Sequence, residues 1–138
     1  MLAVKIVSIL FLMLLFFAIY RSARRQKTHP QMRASEKLIT SFIDAVQDLS
    51  QGKGDAYELL KEAFPGHEKA YLEFRSRLRG HRRKQFDAAW KEYYYSGNGT
   101  SPSFRDQYFA AGDAFLAKEK RKVALQRIKR ILSFAKSN

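Results

Sequence analysis

The sequence predicts an all-α protein: a single N-terminal transmembrane helix, then a small basic helical domain of about four to five helices, the last one long. Three observations carry this expectation. The first 20 residues are almost uninterruptedly apolar, and the remainder repeats apolar positions at three- and four-residue spacings. Seven Gly and three Pro in 138 residues leave little material for a turn-rich β fold.

The opening segment, MLAVKIVSILFLMLLFFAIY, holds one charge, Lys5, and one other clearly polar side chain, Ser8. As a helix it extends about 30 Å, the thickness of a bilayer's hydrocarbon layer. Lys5 lies near one end, where its stem carries the ammonium to the headgroups, and Tyr20 stands at the other boundary. A cleaved secretory signal competes with this reading. It requires small residues at the −3 and −1 positions, whereas the apolar run ends in Phe16-Phe17-Ala18-Ile19-Tyr20 and passes directly into Arg21. A core helix of a soluble protein is the third reading, and it needs a domain large enough to cover an all-round apolar surface. An uncleaved anchor over 1–20 is the expectation.

Arg21, Arg24, Arg25, Lys27 and Arg33 follow this segment. The positive-inside bias then places the bulk of the chain on the cytoplasmic side of the cell's inner membrane. Residues 21–34 read as a basic juxtamembrane linker, whose cations either contact anionic lipid, at about 1 kcal/mol each near the surface, or merely set topology.

The helical domain is expected over 35–138. Ser35 can cap a helix with Leu38, Ile39, Phe42, Ile43, Val46 and Leu49 on one side, ending before Gly52 and Gly54. Asp55 can cap a shorter helix carrying Tyr57, Leu59, Leu60 and Phe64, stopped by Pro65-Gly66. Residues 34–64 hold six acidic and three basic side chains, a mildly acidic stretch suited to packing beside the basic helices that follow. A third helix from about His67 presents Tyr71, Phe74 and Leu78, and a fourth presents Phe86, Ala89, Trp90 and Tyr93. At 100° per residue these two apolar sets differ in direction by roughly 90°, so a break is expected near Arg79-Gly80-His81.

Ser96 to Thr100 reads as a loop. Its Asn98-Gly99-Thr100 has the form of a glycosylation acceptor, which matters only for a domain facing a secretory lumen, and an Asn-Gly turn between helices is the expectation. Ser101 and Pro102 signal the start of a last helix holding Phe104, Tyr108, Phe109, Phe115 and Leu116. That helix is expected to run on into Val123, Leu125, Ile128, Ile131, Leu132 and Phe134, forming a basic amphipathic tail over about 118–138 that is long enough to extend past the globular core.

The net charge of +13 points to anionic partners: an acidic protein, anionic lipid or nucleic acid. Two concentrations of cations stand out. Arg75, Arg77, Arg79, Arg82, Arg83 and Lys84 form a run without an acid, and arginine's planar fork suits phosphate, so this is a candidate anion-binding patch. The bland alternative is a solvated surface partly neutralised by Glu58, Glu62 and Glu68. The second concentration, Lys120, Arg121, Lys122, Arg127, Lys129 and Arg130 with Lys118 and Lys136, can lie on an anionic bilayer, dock in a partner or pack on its own domain, and packing on its own domain is the default expectation. Phe86, Trp90 and Tyr93-Tyr94-Tyr95 could stack on bases, but their helical spacing makes Phe86, Trp90 and Tyr93 core residues first, leaving Tyr94 or Tyr95 exposed.

Without cysteine the chain can build no disulfide, thiolate zinc site or cysteine nucleophile. His29, His67 and His81 lack metal-ligand spacing, and no phosphate-cradling Gly-rich loop or nucleophile elbow occurs. No cofactor or metal is expected. The sequence reads as a non-catalytic, membrane-anchored interaction protein that presents its basic domain to an acidic protein or to anionic lipid of the inner leaflet. A membrane-tethered nucleic-acid binder using the Arg75 to Lys84 patch is the alternative, and a small enzyme without a recognisable motif is the remote one.

Overall fold

A computed structural model describes residues 13–19, 30–52, 54–94 and 103–136, and all regular structure among them is α-helical. The chain divides into two compact units, Met1–Arg33 and Ala34–Asn138. In the first unit residues 13–19 are helical with every side chain exposed. Among the described residues no helix is long and apolar enough to cross a membrane. The rest of the expected span, the expected linker residues Arg21, Arg24, Arg25 and Lys27, and the loop and cap of 96–102 lie outside the described residues.

Helix α1, Pro30–Ser50, begins earlier than the Ser35 cap suggested. Proline suits a first turn because its missing N–H has no intrahelical acceptor there. Residues 30–34 are therefore helix rather than linker, and Ser35 is buried within α1. Ala34, Leu38, Phe42, Ala45 and Leu49 are buried along its inner face, while Ile43, one residue beyond that stripe, is exposed. Gly52 and Gly54 then take positive φ, of +69° and +71°, and turn the chain.

Helix α2, Ala56–Arg75, starts at Asp55, whose carboxylate accepts from the N–H groups of Tyr57 at 2.9 Å and Glu58 at 3.4 Å. It runs straight through Pro65-Gly66, where two shorter helices were expected. The reason is phase: Ala56, Leu60, Phe64, His67, Tyr71 and Phe74 recur every three or four residues on both sides of the proline and share one buried face. Lys61 and Pro65 lie on the exposed side, so the carbonyl that loses its helical donor faces water.

The expected break falls at residues 76–79, after which Gly80 opens helix α3, Gly80–Tyr94, at a φ of +57°. Leu78 is buried in the turn, and Phe86, Ala89, Trp90 and Tyr93 line the inner face of α3. Tyr94 is exposed, as its phase requires.

The single last helix of the sequence reading is two. Helix α4, Phe104–Tyr108, has Ser103 as its cap, with Asp106 returning the bond in a capping box. The chain turns at Ala111 and Gly112, both at positive φ, and the Asp113 carboxylate accepts from the Leu116 N–H at 3.0 Å to start helix α5, Ala114–Lys136. The basic tail packs on its own domain, the default expected of it, and α5 leaves its first half outside the core. Its second half buries Ala124, Ile128, Ile131, Leu132 and Ala135, whereas residues 114–123 contribute nothing fully buried. Phe115 and Leu116, expected on the same helix as Phe104 and Tyr108, are 74% and 38% exposed at the start of α5.

The core of the second unit is aromatic. Tyr71 stacks on Trp90 with centroids 4.3 Å apart, Phe42 stacks on His67 at 3.8 Å, and Phe64 lies among Trp90, Tyr93, Tyr94 and Phe104. Such pairs contribute about 0.5–1.5 kcal/mol each beyond the area they bury.

Candidate anion-binding groove

The two cationic clusters acquire different roles once their bonds are traced. In the first, Arg75 at the end of α2 grips Asp87 of α3 through two hydrogen bonds, from Nε at 2.7 Å and from its terminal nitrogen at 3.0 Å. The Tyr71 hydroxyl donates to the same carboxylate at 2.7 Å. The Arg75 guanidinium holds the Asp87 carboxyl below its ordinary range, against the opposing effect of burial. Burial, then the bond to Asp87, pushes the Tyr71 hydroxyl up to about 12. Arg82 donates to the Phe134 carbonyl at 2.8 Å, in the last turn of α5, where the helix end carries partial negative charge. Arg83 is half-buried, with Nε enclosed and given no hydrogen bond. Arg75, Arg82 and Arg83 are thus built into the packing of α2, α3 and α5, while Arg77, Arg79 and Lys84 are exposed on the turn and first turns of α3. Of the acids expected to neutralise this run, Glu58, Glu62 and Glu68, none forms an ion pair with it among the described residues; Asp87 takes that part instead.

On α5 the cations divide likewise. Lys120 donates to the Asp106 carbonyl at 2.9 Å, and Arg121 donates to the Gly54 carbonyl at 3.1 Å. Arg127 bonds the Gln107 side chain and the Tyr108 hydroxyl, lying over the Tyr108 ring, and Arg130 pairs with Glu92. These four tie α5 to α4, to the turn after α1 and to α3. Among the described residues Lys122 and Lys129 make no such tie.

They line, instead, an open groove of about 540 Å³ between the C-terminal end of α1 and α5. Leu49 and Leu125 supply apolar walls, Ser50, Gln51 and Gln126 supply amides and a hydroxyl, and Lys118, Arg121, Lys122 and Lys129 supply four positive charges with no carboxylate in the lining. The carbonyl end of α1 offers these cations a partial charge of roughly −0.5, too little to balance four formal charges. The groove is therefore electropositive and suited to an anion. The sequence reading included Arg121, Lys122 and Lys129 among its contact residues but did not place them against the end of α1. Their shared phase with Lys118, at spacings of three, four and eleven residues, was the available signal; the partner wall of Leu49 to Gly52 had none.

His67 is the one buried imidazole among the described residues. Its Nδ1 shares a hydrogen bond of 2.9 Å with the Tyr93 hydroxyl, and its enclosed Nε2 has no partner. Burial lowers its pKa from 6.5 to about 4, against a smaller upward pull from the Ser41 backbone. Tyr93 and Tyr108 are both shifted up by burial, Tyr108 less so because Arg127 bonds its hydroxyl. This cluster is sealed by Phe42 and serves packing. Among the described residues no three of His, Asp and Glu converge as metal ligands would.

Fold and groove together define an all-α domain with an electropositive surface cleft. No family model matches the chain, and neither curated proteins nor solved structures yield a significant match.

Proposed function

We propose that this chain is a non-catalytic, single-pass membrane protein whose basic helical domain binds an anionic surface, either an acidic protein or the anionic lipid of the leaflet it faces. The observation that carries the reading is the uncompensated positive charge of the groove between α1 and α5. Each cation near an anionic surface contributes about 1 kcal/mol, so Lys118, Lys122 and Lys129 acting together, beside Arg121 held to the Gly54 carbonyl, support a salt-sensitive association.

The membrane part of the proposal rests on the apolar 1–20 segment and on the exposure of every side chain at 13–19, an arrangement that costs free energy in water and none in lipid. The cations at Arg21, Arg24, Arg25 and Lys27 support a cytoplasmic orientation for the domain. The nucleic-acid alternative draws on Arg77, Arg79 and Lys84, since Arg75 and Arg82 bond within the fold.

Alkaline carbonate extraction of membranes from cells expressing the full chain tests the tether. The protein stays with the membrane pellet, and deletion of residues 1–20 releases it. Release of the intact chain by alkali or by salt contradicts the anchor. In sealed inverted vesicles added protease should reach the domain, and protection there reverses the orientation.

A further inference from the structure

The exposed half of α5 carries more than charge. At 100° per residue Phe115, Lys118, Lys122, Leu125 and Lys129 fall within an arc of about 80°, a single stripe that begins in the first turn of α5 and ends along the groove. Phe115 is 74% exposed and its neighbour Leu116 is 38% exposed, although the core contains many other aromatic rings. An aromatic ring projecting into solvent at the head of a cationic stripe is a costly arrangement for a surface that meets only water.

We propose that this stripe is a lipid-docking face: the groove cations take the phosphates of anionic phospholipid headgroups, while Phe115 enters the interfacial layer beneath them. Both halves of the chemistry are needed. Lysines alone would meet any polyanion, whereas an aromatic ring beside them gains nothing from a soluble phosphate and gains burial from a bilayer. The stripe is straight and about 21 Å long, so its members can reach one plane together. Among the described residues Lys118, Lys122 and Lys129 make no hydrogen bond that holds another helix, and they are available to headgroups. This assignment rests on the proposed binding of an anionic surface and names lipid as that surface.

The test places a fluorescent reporter at the head of the stripe in the full chain, reconstituted in vesicles whose lipid tails are brominated. The parent has one tryptophan, Trp90, which is buried and gives the background. Phe115→Trp should be quenched several-fold more in phosphatidylcholine vesicles containing phosphatidylglycerol than in phosphatidylcholine alone. Leu72→Trp, at an exposed site on α2 that does not border the groove, should show no such difference. Replacing Lys118, Lys122 and Lys129 by Glu should return the Phe115→Trp signal to its neutral-vesicle level with the helical circular dichroism unchanged.

Equal quenching at 115 and 72, equal quenching with and without phosphatidylglycerol, or indifference to the three charge reversals overturns the lipid face. An oligonucleotide that binds the chain in neutral vesicles and is lost with the same reversals assigns the groove to nucleic acid instead, and also overturns it. A chain that fails to float with neutral vesicles contradicts the tether alone, because quenching on anionic vesicles still decides the docking face.

Discussion

His67 shows how one buried side chain sets a property of the whole domain. Above pH 6.5 it is neutral in both folded and unfolded chains; below that, the unfolded chain takes up a proton that the folded state refuses until about pH 4. Stability is therefore full above 6.5 and declines through that window, by roughly 3 kcal/mol in total. Urea midpoints measured from pH 7 to 4 should fall accordingly, and His67→Gln should flatten the profile. A wild-type midpoint independent of pH between 6.5 and 4 would show that the imidazole is hydrated. Asp87 works in a lower window, because its depressed carboxyl titrates beneath its ordinary value of 3.8. Removing its partnership with Arg75 and Tyr71 by Asp87→Ala should cost about 1 kcal/mol, a figure reduced from that of a buried charged pair because both ends meet solvent. A fall in thermal midpoint checks it, and an unchanged midpoint would leave Arg75 as free as its neighbours on the turn.

At the scale of the element, α2 is the informative case. A proline inside a helix costs about 3 kcal/mol relative to alanine, part of which is recovered because proline also restricts the unfolded chain. Pro65→Ala should therefore stabilise the domain by about 1–2 kcal/mol, raising its urea midpoint with no change in cooperativity. Were α2 two helices meeting at Pro65, the same change would be neutral or harmful. Local signals and tertiary packing competed along the chain, and the outcome depended on which was stronger. Asp55, the turn before Gly80 and the core roles of Phe86, Trp90 and Tyr93 were legible, because cap chemistry and phase agreed there. Pro65-Gly66 misled because the in-phase stripe from Ala56 to Phe74 outweighed a local stop. Gly112 was a stop in turn, yet its signal was hidden by apolar residues on both sides, so α4 and α5 were read as one. The groove was half legible: its cations were recognised as a cluster, but the wall formed by the end of α1 is 66 to 80 residues away in sequence, from Lys118–Lys129 back to about Leu49–Gly52, and no local pattern brings them together.

Across the whole molecule, the net charge of +13 proves to be partly architectural. Arg75, Arg82, Lys120, Arg121, Arg127 and Arg130 each join two parts of the fold, so composition alone overstates the charge offered to a partner. What remains concentrated is the groove, and it is on the groove that the functional proposal depends. The most direct measurement is the affinity of the full chain, held in phosphatidylcholine nanodiscs, for two anionic surfaces, phosphatidylglycerol vesicles and polyglutamate, with and without Lys118, Lys122 and Lys129 changed to alanine. The proposal predicts salt-sensitive binding to at least one surface, weakened roughly a hundredfold by the triple change, since three cations contribute about 1 kcal/mol each. Binding to neither surface, or binding that the triple change leaves intact, would contradict it.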